Sequence, residues 1–312
     1  MITELLGIKY PLFQGAMAQI SRHELVIAVS NAGGLGVLAS GSMDASTLRA
    51  EIKACKAGTD QPFAVNLMLM MPNIAELVEV VIEERVPIVT TGAGTPKAFI
   101  PKLQAAGIKI FPVIATVAQA LKMAQLGVDG VVAEGTEAGG HVGETATFPL
   151  VRQVAQAVTI PVIAAGGIAD GHGIVASFAL GASGVQIGTR FLASVEVPIP
   201  ESYKQAVVTA RDTDTVVTGR SNRAPVRVIS NAMAEKYLQM EHDQMPRERL
   251  EELTMGSLRK AVFEGDAKNG SLMAGQIAGI IQEVQPVAII IEEMFKEADE
   301  VRAKLPLSFL PK

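Results

Sequence analysis

The sequence predicts an α/β protein of the (β/α)8, or TIM-barrel, class. Three observations point there. Eight short aliphatic runs recur along the first two-thirds of the chain, and amphipathic helical patterns separate them. The richest glycine loops come after the sixth, seventh and eighth runs, the end of a barrel where ligands bind. An open doubly wound sheet is the competing class. It usually has fewer strands and keeps its phosphate loop at the first one, but here the first loop, Gly15-Ala16-Met17-Ala18, opens no GxGxxG fingerprint.

The predicted strands are Pro11–Phe13, Gly36–Ala39, Phe63–Leu67, Ile88–Thr90, Lys109–Val113, Gly130–Ala133, Val162–Ala165 and Gly184–Ile187. Each has the length of a buried strand. Between them the helical patterns are His23–Ala32, Ala45–Lys56, Ile74–Glu84, Lys97–Ala106, Val117–Leu126, Leu150–Ala157 and Gly173–Leu180. Gly33, Gly58, Gly107, Gly127 and Gly181 follow several of them and suit left-handed caps. The alternation breaks near Ala193 and returns from Leu258 to a last helix, Val287–Lys304, expected in the outer ring. The barrel therefore reads as residues 1–194 and 270–312. Residues 195–269 read as an inserted, small, mainly helical lid or substrate domain.

Composition narrows the function classes. Half the 312 residues are hydrophobic (49%) but only 4% are aromatic, so the core is aliphatic, as buried parallel sheets are. A net charge of −5 and the lack of a basic block interleaved with aromatics argue against nucleic acid. Apolar runs are too short to span a membrane, and Met1–Gln14 does not read as a signal peptide, so a cytoplasmic protein is expected. The single cysteine, Cys55, reads as structural, and no Cys/His spacing suggests a metal.

Two late loops fit phosphate. One is Ala165-Gly166-Gly167-Ile168-Ala169-Asp170 and the other Gln186-Ile187-Gly188-Thr189-Arg190. Glycines let backbone N–H groups approach a phosphate, and the Thr189 hydroxyl adds a donor; the alternative for Gly166 and Gly167 is a plain tight turn. After the sixth strand, Glu134 to Gly143 carries Gly139, Gly140 and His141. There the backbone can pass close to a planar ligand and aim the imidazole into the barrel mouth as an acid or base, or the histidine simply fixes its loop. Glu134 is read as a hydrogen-bonding partner of a ligand or a loop amide. A Glu134/Glu137 acid–base pair is disfavoured. His23, His172 and His242 read as surface residues. Met17 and Met273 could face a ring system or fill core.

In order along nearly the whole chain, Phe13-Gln14-Gly15-Ala16-Met17, Asn31 to Gly36, Glu134 to Gly143, Ala164 to Asp170, Gln186 to Arg190 and Met273-Ala274-Gly275-Gln276 resemble the motifs of the FMN-dependent enoyl-ACP reductase II and nitronate monooxygenase superfamily. The resemblance is greater to the enoyl-ACP reductase II branch, through Phe13-Gln14-Gly15 and Gly270–Gln276. That branch commonly has Gly where this chain has Ala16, an exchange that is harmless unless φ is positive there.

The resemblance implies the following roles. FMN would touch the Gly15, Ala16 and Met17 backbone and Asn66. Gly166, Gly167, Gly188 and Thr189 would hold its phosphate. Gln186, Met273, Gly275 and Gln276 would line the pocket beside Glu134, Gly139, Gly140 and Ala165, and His141 would sit at the reactive face. Thr91 would line the pocket or cap a loop. The implied reaction is reduction of trans-2-enoyl thioesters on acyl carrier protein by NADH or NADPH, the last step of fatty-acid elongation. A nitronate monooxygenase using O2 is the alternative, and a non-catalytic flavin sensor a third. A homodimer and a monovalent cation are further implications. Arg211, Arg220, Arg223 and Arg227 could dock an acidic carrier or grip nicotinamide phosphates, or form a solvated face.

Overall fold

The computed structural model describes residues 1–306; the last six positions assigned above to the barrel lie outside the described residues. Eight parallel strands form one sheet: β1 Leu12–Gln14, β2 Gly36–Ala39, β3 Phe63–Met68, β4 Ile88–Gly92, β5 Lys109–Ile114, β6 Val131–Glu134, β7 Val162–Ala165 and β8 Gly184–Ile187. Each pairs with its predecessor from β3 onward, and β8 pairs with β1. A Phe13–Leu35 bridge closes the remaining gap between β1 and β2. The result is a (β/α)8 barrel.

Continuous burial explains these strands. Nearly every residue of β1, β2, β4 and β7 is buried, as both faces are covered in a parallel barrel. One set of side chains, including Phe13, Leu35, Ile88, Phe111, Val132 and Ile163, fills the barrel axis. Phe13 and Phe111 meet edge to face at 5.4 Å within it. The short N-terminal helix Ile2–Leu6 adds Ile2 and Leu6 to that same core.

The opposite faces of the strands pack on the helical ring: α1 His23–Asn31, α2 Ala45–Gly58, α3 Ile74–Glu83, α4 Ile100–Ala105, α5 Val117–Gln125, α6 Thr147–Ala157, α7 Gly171–Ala179 and α8 Val287–Lys304. The last packs against α7 and α1 and so completes the ring. At the α7 N-terminus Asp170 accepts from the Gly173 N–H (2.8 Å) and Glu297 of α8 from the Gly171 N–H (2.7 Å). His172 lies 3.2 Å from the same Glu297. Asp170, His172 and Glu297 are the group of possible metal ligands that converges among the described residues, and this capping accounts for it.

Gly33, Gly107, Gly127 and Gly181 have the positive φ expected of caps. Gly58 does not: it is the last residue of α2, and a Cβ there would lie 2.4 Å from Ile27 Cδ1. Its smallness serves packing of α2 on α1. Ala16 is not among the positive-φ residues, so the methyl at this position carries no backbone strain. Cys55 is buried, and desolvation pushes its thiol up to about 12, too high for a reactive thiolate.

The stretch 195–269 holds helices Glu201–Val208, Ala232–His242, Arg247–Thr254 and Ser257–Phe263. It also contains a feature the helical expectation missed. Thr215–Thr218 and Val226–Ile229 form an antiparallel hairpin, and its second strand pairs with Gly140–His141 of the barrel. The insertion is thus knitted into the loop after β6.

Candidate functional site

The C-terminal ends of the strands surround a cavity of about 890 Å³. Its wall brings together Gly15, Ala16, Met17, Asn66, Glu134, Gly139, Gly140, His141, Ala165, Gly166, Gly167, Gln186, Gly188, Thr189 and Met273. Three predicted residues fall outside it. Thr91 is fully buried beneath the rim with no partner for its hydroxyl, and Gly92 and Ala93, further along the strand end, line the cavity instead. Gly275 is buried behind the wall. Gln276 begins a 3-10 turn that leaves its own side chain exposed and turns Ile277 to the cavity.

A buried polar network shapes the β1 loop. Gln14 Oε1 accepts from the Val37 N–H (3.0 Å), and Gln14 Nε2 donates to Ser21 Oγ (2.7 Å) and to the Gly15 carbonyl. Ser21 Oγ in turn accepts from the Met17 N–H (2.9 Å). Sequence analysis missed this network; Gln14, a lone polar residue closing an aliphatic run, is the signal that could have found it. Across the mouth, Asn66 Nδ2 donates to Thr90 Oγ1 (2.8 Å), leaving its oxygen free to accept.

The β7 loop presents a cradle. Gly166 and Gly167 have φ of 95° and 72°, which L side chains rarely adopt. A Cβ on Gly166 would press on Thr147 Oγ1 at 2.9 Å and the Gly135 carbonyl at 3.0 Å. Among the described residues, the amides of Gly166, Gly167 and Thr189 donate to no protein acceptor. Thr189 Oγ1 accepts from the buried Gly275 N–H (2.9 Å), so its own proton is free for another partner. Unpaired donors on two adjacent glycine loops suit an anion.

The β6 loop is held tightly. Glu137 accepts from the Thr147 N–H (2.7 Å) and hydroxyl and supplies the cap that Ala146 cannot give α6. It is structural, which removes the Glu134/Glu137 pair. Gly139 passes so close to the Met273–Gly275 segment that a Cβ would lie 2.6 Å from the Ala274 carbonyl carbon. Glu134, at the end of β6, finds no protein donor for its carboxyl among the described residues, and burial pushes its pKa up to about 7. His141 is exposed at the mouth. Desolvation by the surrounding loops lowers its pKa, which favours the neutral imidazole.

Arg223, one of the arginines singled out in the sequence, stands at the rim, and residues not foreseen complete an apolar side of the cavity: Met68, Met70, Val113, Leu258 and Ile277. Most sit at strand ends or on the insertion. Their chemistry gave no signal, since each reads equally well as core filling.

The profile of the nitronate monooxygenase family matches residues 1–78 and 72–297, nearly the whole of this barrel and its insertion. The chain belongs to the nitronate monooxygenase family. The nitronate monooxygenase fold here superposes on FabK from Thermotoga maritima with a TM-score of 0.95 at 48% identity, covering 97% of both chains. A probable nitronate monooxygenase of Staphylococcus saprophyticus is 36% identical, over 96% of this chain and 98% of that one. A Mycobacterium tuberculosis relative, (3aS,4S,5R,7aS)-5-hydroxy-7a-methyl-1-oxo-octahydro-1H-indene-4-carboxyl-CoA dehydrogenase, is 34% identical over 95% of each chain. These relatives mark the chain as an oxidoreductase of the flavin-dependent type. No described helix is long and apolar enough to cross a membrane.

Proposed function

We propose that this protein is an FMN-dependent reductase of trans-2-enoyl thioesters carried on acyl carrier protein, with NADH or NADPH as donor. The observation that carries this reading is the 48% identity to FabK, an enoyl-ACP reductase II, over 97% of both chains. The motif resemblance supports a homodimer, and the short apolar runs and the N-terminal sequence support a cytoplasmic location.

The cavity suits the cofactor. It is large, its wall is mostly apolar, and its free donors cluster on the β7 and β8 loops. Gly166, Gly167, Gly188 and Thr189 would hold the phosphate. The Gly15–Met17 backbone, Asn66 and Gln186 would flank the ring, and the unpaired Glu134 carboxyl would meet a polar edge of it. The flavin, when bound, supplies a two-electron carrier between nicotinamide and substrate.

The chain's own contribution is positioning and proton handling. Neutral His141 keeps an N–H to donate to the thioester carbonyl or to orient a water that protonates Cα. The hairpin strand paired to Gly140–His141 fixes the backbone that carries the imidazole. Met68, Met70 and Ile277 offer an apolar track for an acyl chain.

A second reading, oxidation of alkyl nitronates with O2, is supported by the family profile and by the name of the staphylococcal relative. A steady-state panel separates the two. Donor oxidation that requires crotonyl thioester is the expected result. Oxygen uptake with an alkyl nitronate, and no thioester-dependent donor oxidation, would replace the first reading by the second.

A further inference from the structure

The fold divides the four arginines of the 211–227 run. Arg211 is tied to its neighbour Asp214 (2.9 Å) at the surface. Arg227 is buried; its Nε donates to the Thr136 carbonyl (3.0 Å) and Nη1 to Thr215 Oγ1 (3.1 Å), binding the hairpin to the β6 loop. Arg220 and Arg223 remain. Both are exposed, and neither forms an ion pair or a side-chain hydrogen bond among the described residues. Arg223, with Ala224 and Pro225, lines the rim of the cavity.

This rim loop is anchored from behind. The Glu241 carboxylate accepts from the Gly219 N–H (3.1 Å), the Ser221 N–H (3.0 Å) and the Ser221 hydroxyl (2.6 Å). Asn222 Nδ2 donates to Tyr237 (3.4 Å). Arg223 itself takes a left-handed φ of 56°. Register ties the loop to the chemistry: Val226 lies opposite His141. Only Ala224 and Pro225 separate Arg223 from that pair, so the two lie within roughly 10 Å along the chain.

A substrate reaching the bottom of this cavity must lead a long arm past the rim. In both substrates of the proposed reaction that arm carries a phosphate. A nicotinamide dinucleotide places its pyrophosphate one ribose beyond the reacting ring. The phosphopantetheine phosphate ends the arm that bears the thioester. A guanidinium without a partner, held at the rim, matches such a group in charge and in its fork of donors.

We propose that Arg223, with Arg220 beside it, binds the phosphate of an incoming substrate and sets preference for phosphate-bearing ligands. This rests on the enoyl-reductase reading above. The test uses holoenzyme in two anaerobic half-reactions, comparing wild type with Arg223→Gln and Arg223→Lys. Glutamine adds no backbone demand that arginine does not already meet. Flavin bleaching titrated with NADH and NADPH reports the donor. Reoxidation by crotonyl-CoA, relative to crotonyl-N-acetylcysteamine, which has no phosphate, reports the acceptor.

If the donor's phosphates are the ligand, Arg223→Gln raises the donor Kd about ten-fold and Arg223→Lys recovers part of it. If the thioester's phosphate is the ligand, the ratio of the two acceptors' apparent second-order rate constants falls about ten-fold instead. Either effect shrinks at high salt, because the site is exposed. Unchanged donor Kd and acceptor ratio overturn the proposal while leaving the reductase reading intact. An equal loss with every ligand also overturns it, by assigning Arg223 to loop structure. Wild-type flavin that neither donor bleaches nor crotonyl thioesters reoxidise removes the reductase reading and this inference with it.

Discussion

Replacing Glu134 by Gln isolates the electrostatic character of the cavity floor. Among the described residues the Glu134 carboxyl has no protein donor, and burial pushes its pKa from 4.5 up to about 7. Between those values the folded chain holds a proton that the unfolded chain has released. Stability therefore falls as pH rises from about 4.5 to 7 and is level above. The shift corresponds to about 3 kcal/mol at pH 8. Glutamine keeps the shape and carries no charge. On protein freed of bound ligand, Glu134→Gln should match wild type near pH 4.5 and exceed it in stability by up to about 3 kcal/mol at pH 8. Denaturant midpoints of both proteins across that range measure the gap. A gap that does not change with pH would show the carboxyl to be well solvated and would refute this account of the cavity floor.

Other perturbations follow the same geometry. Gly139→Ala drives a methyl into the Ala274 backbone, which cannot swing aside as a side chain would; about 1–3 kcal/mol of destabilisation and weakened FMN retention are expected, read by thermal unfolding and flavin titration. Thr189→Val leaves the buried Gly275 N–H without its acceptor and removes a phosphate donor, costing about 1–3 kcal/mol in stability, while FMN affinity falls; equal melting curves would contradict this. His141→Ala should lower enoyl turnover about 100-fold with flavin still bound, and wild-type rates would remove His141 from the mechanism.

Most of the barrel was legible because burial writes itself into composition. Each strand is an aliphatic run, each ring helix has an apolar face, and Gly33, Gly107, Gly127 and Gly181 punctuate them as positive-φ caps. The site was legible where backbone geometry demands glycine, as at Gly166 and Gly167, where a titratable side chain sits on a glycine-rich loop, as at His141, and where a polar residue ends an apolar run, as at Glu134. What escaped depends on pairing between distant segments. Nothing local to Val226–Ile229 announces that it adds to Gly140–His141, because two residues of strand are too short for a pattern. Thr91 and Gln276 were placed one step from where the chain turns, an offset that periodicity cannot resolve at the end of an element. Met68, Met70 and Leu258 carry only hydrophobicity, so cavity wall and core look alike in sequence.

In the proposed function this cavity would hold a flavin and align a nicotinamide donor and an enoyl thioester with it. Anaerobic mixing of purified protein with NADH, then with NADPH, while following the flavin absorption band by stopped flow, tests it most directly. Fast bleaching by at least one donor and recovery of the band on adding crotonyl thioester are expected. Bleaching by an alkyl nitronate and by neither donor would contradict that function and make the protein a nitronate monooxygenase in activity as well as in family.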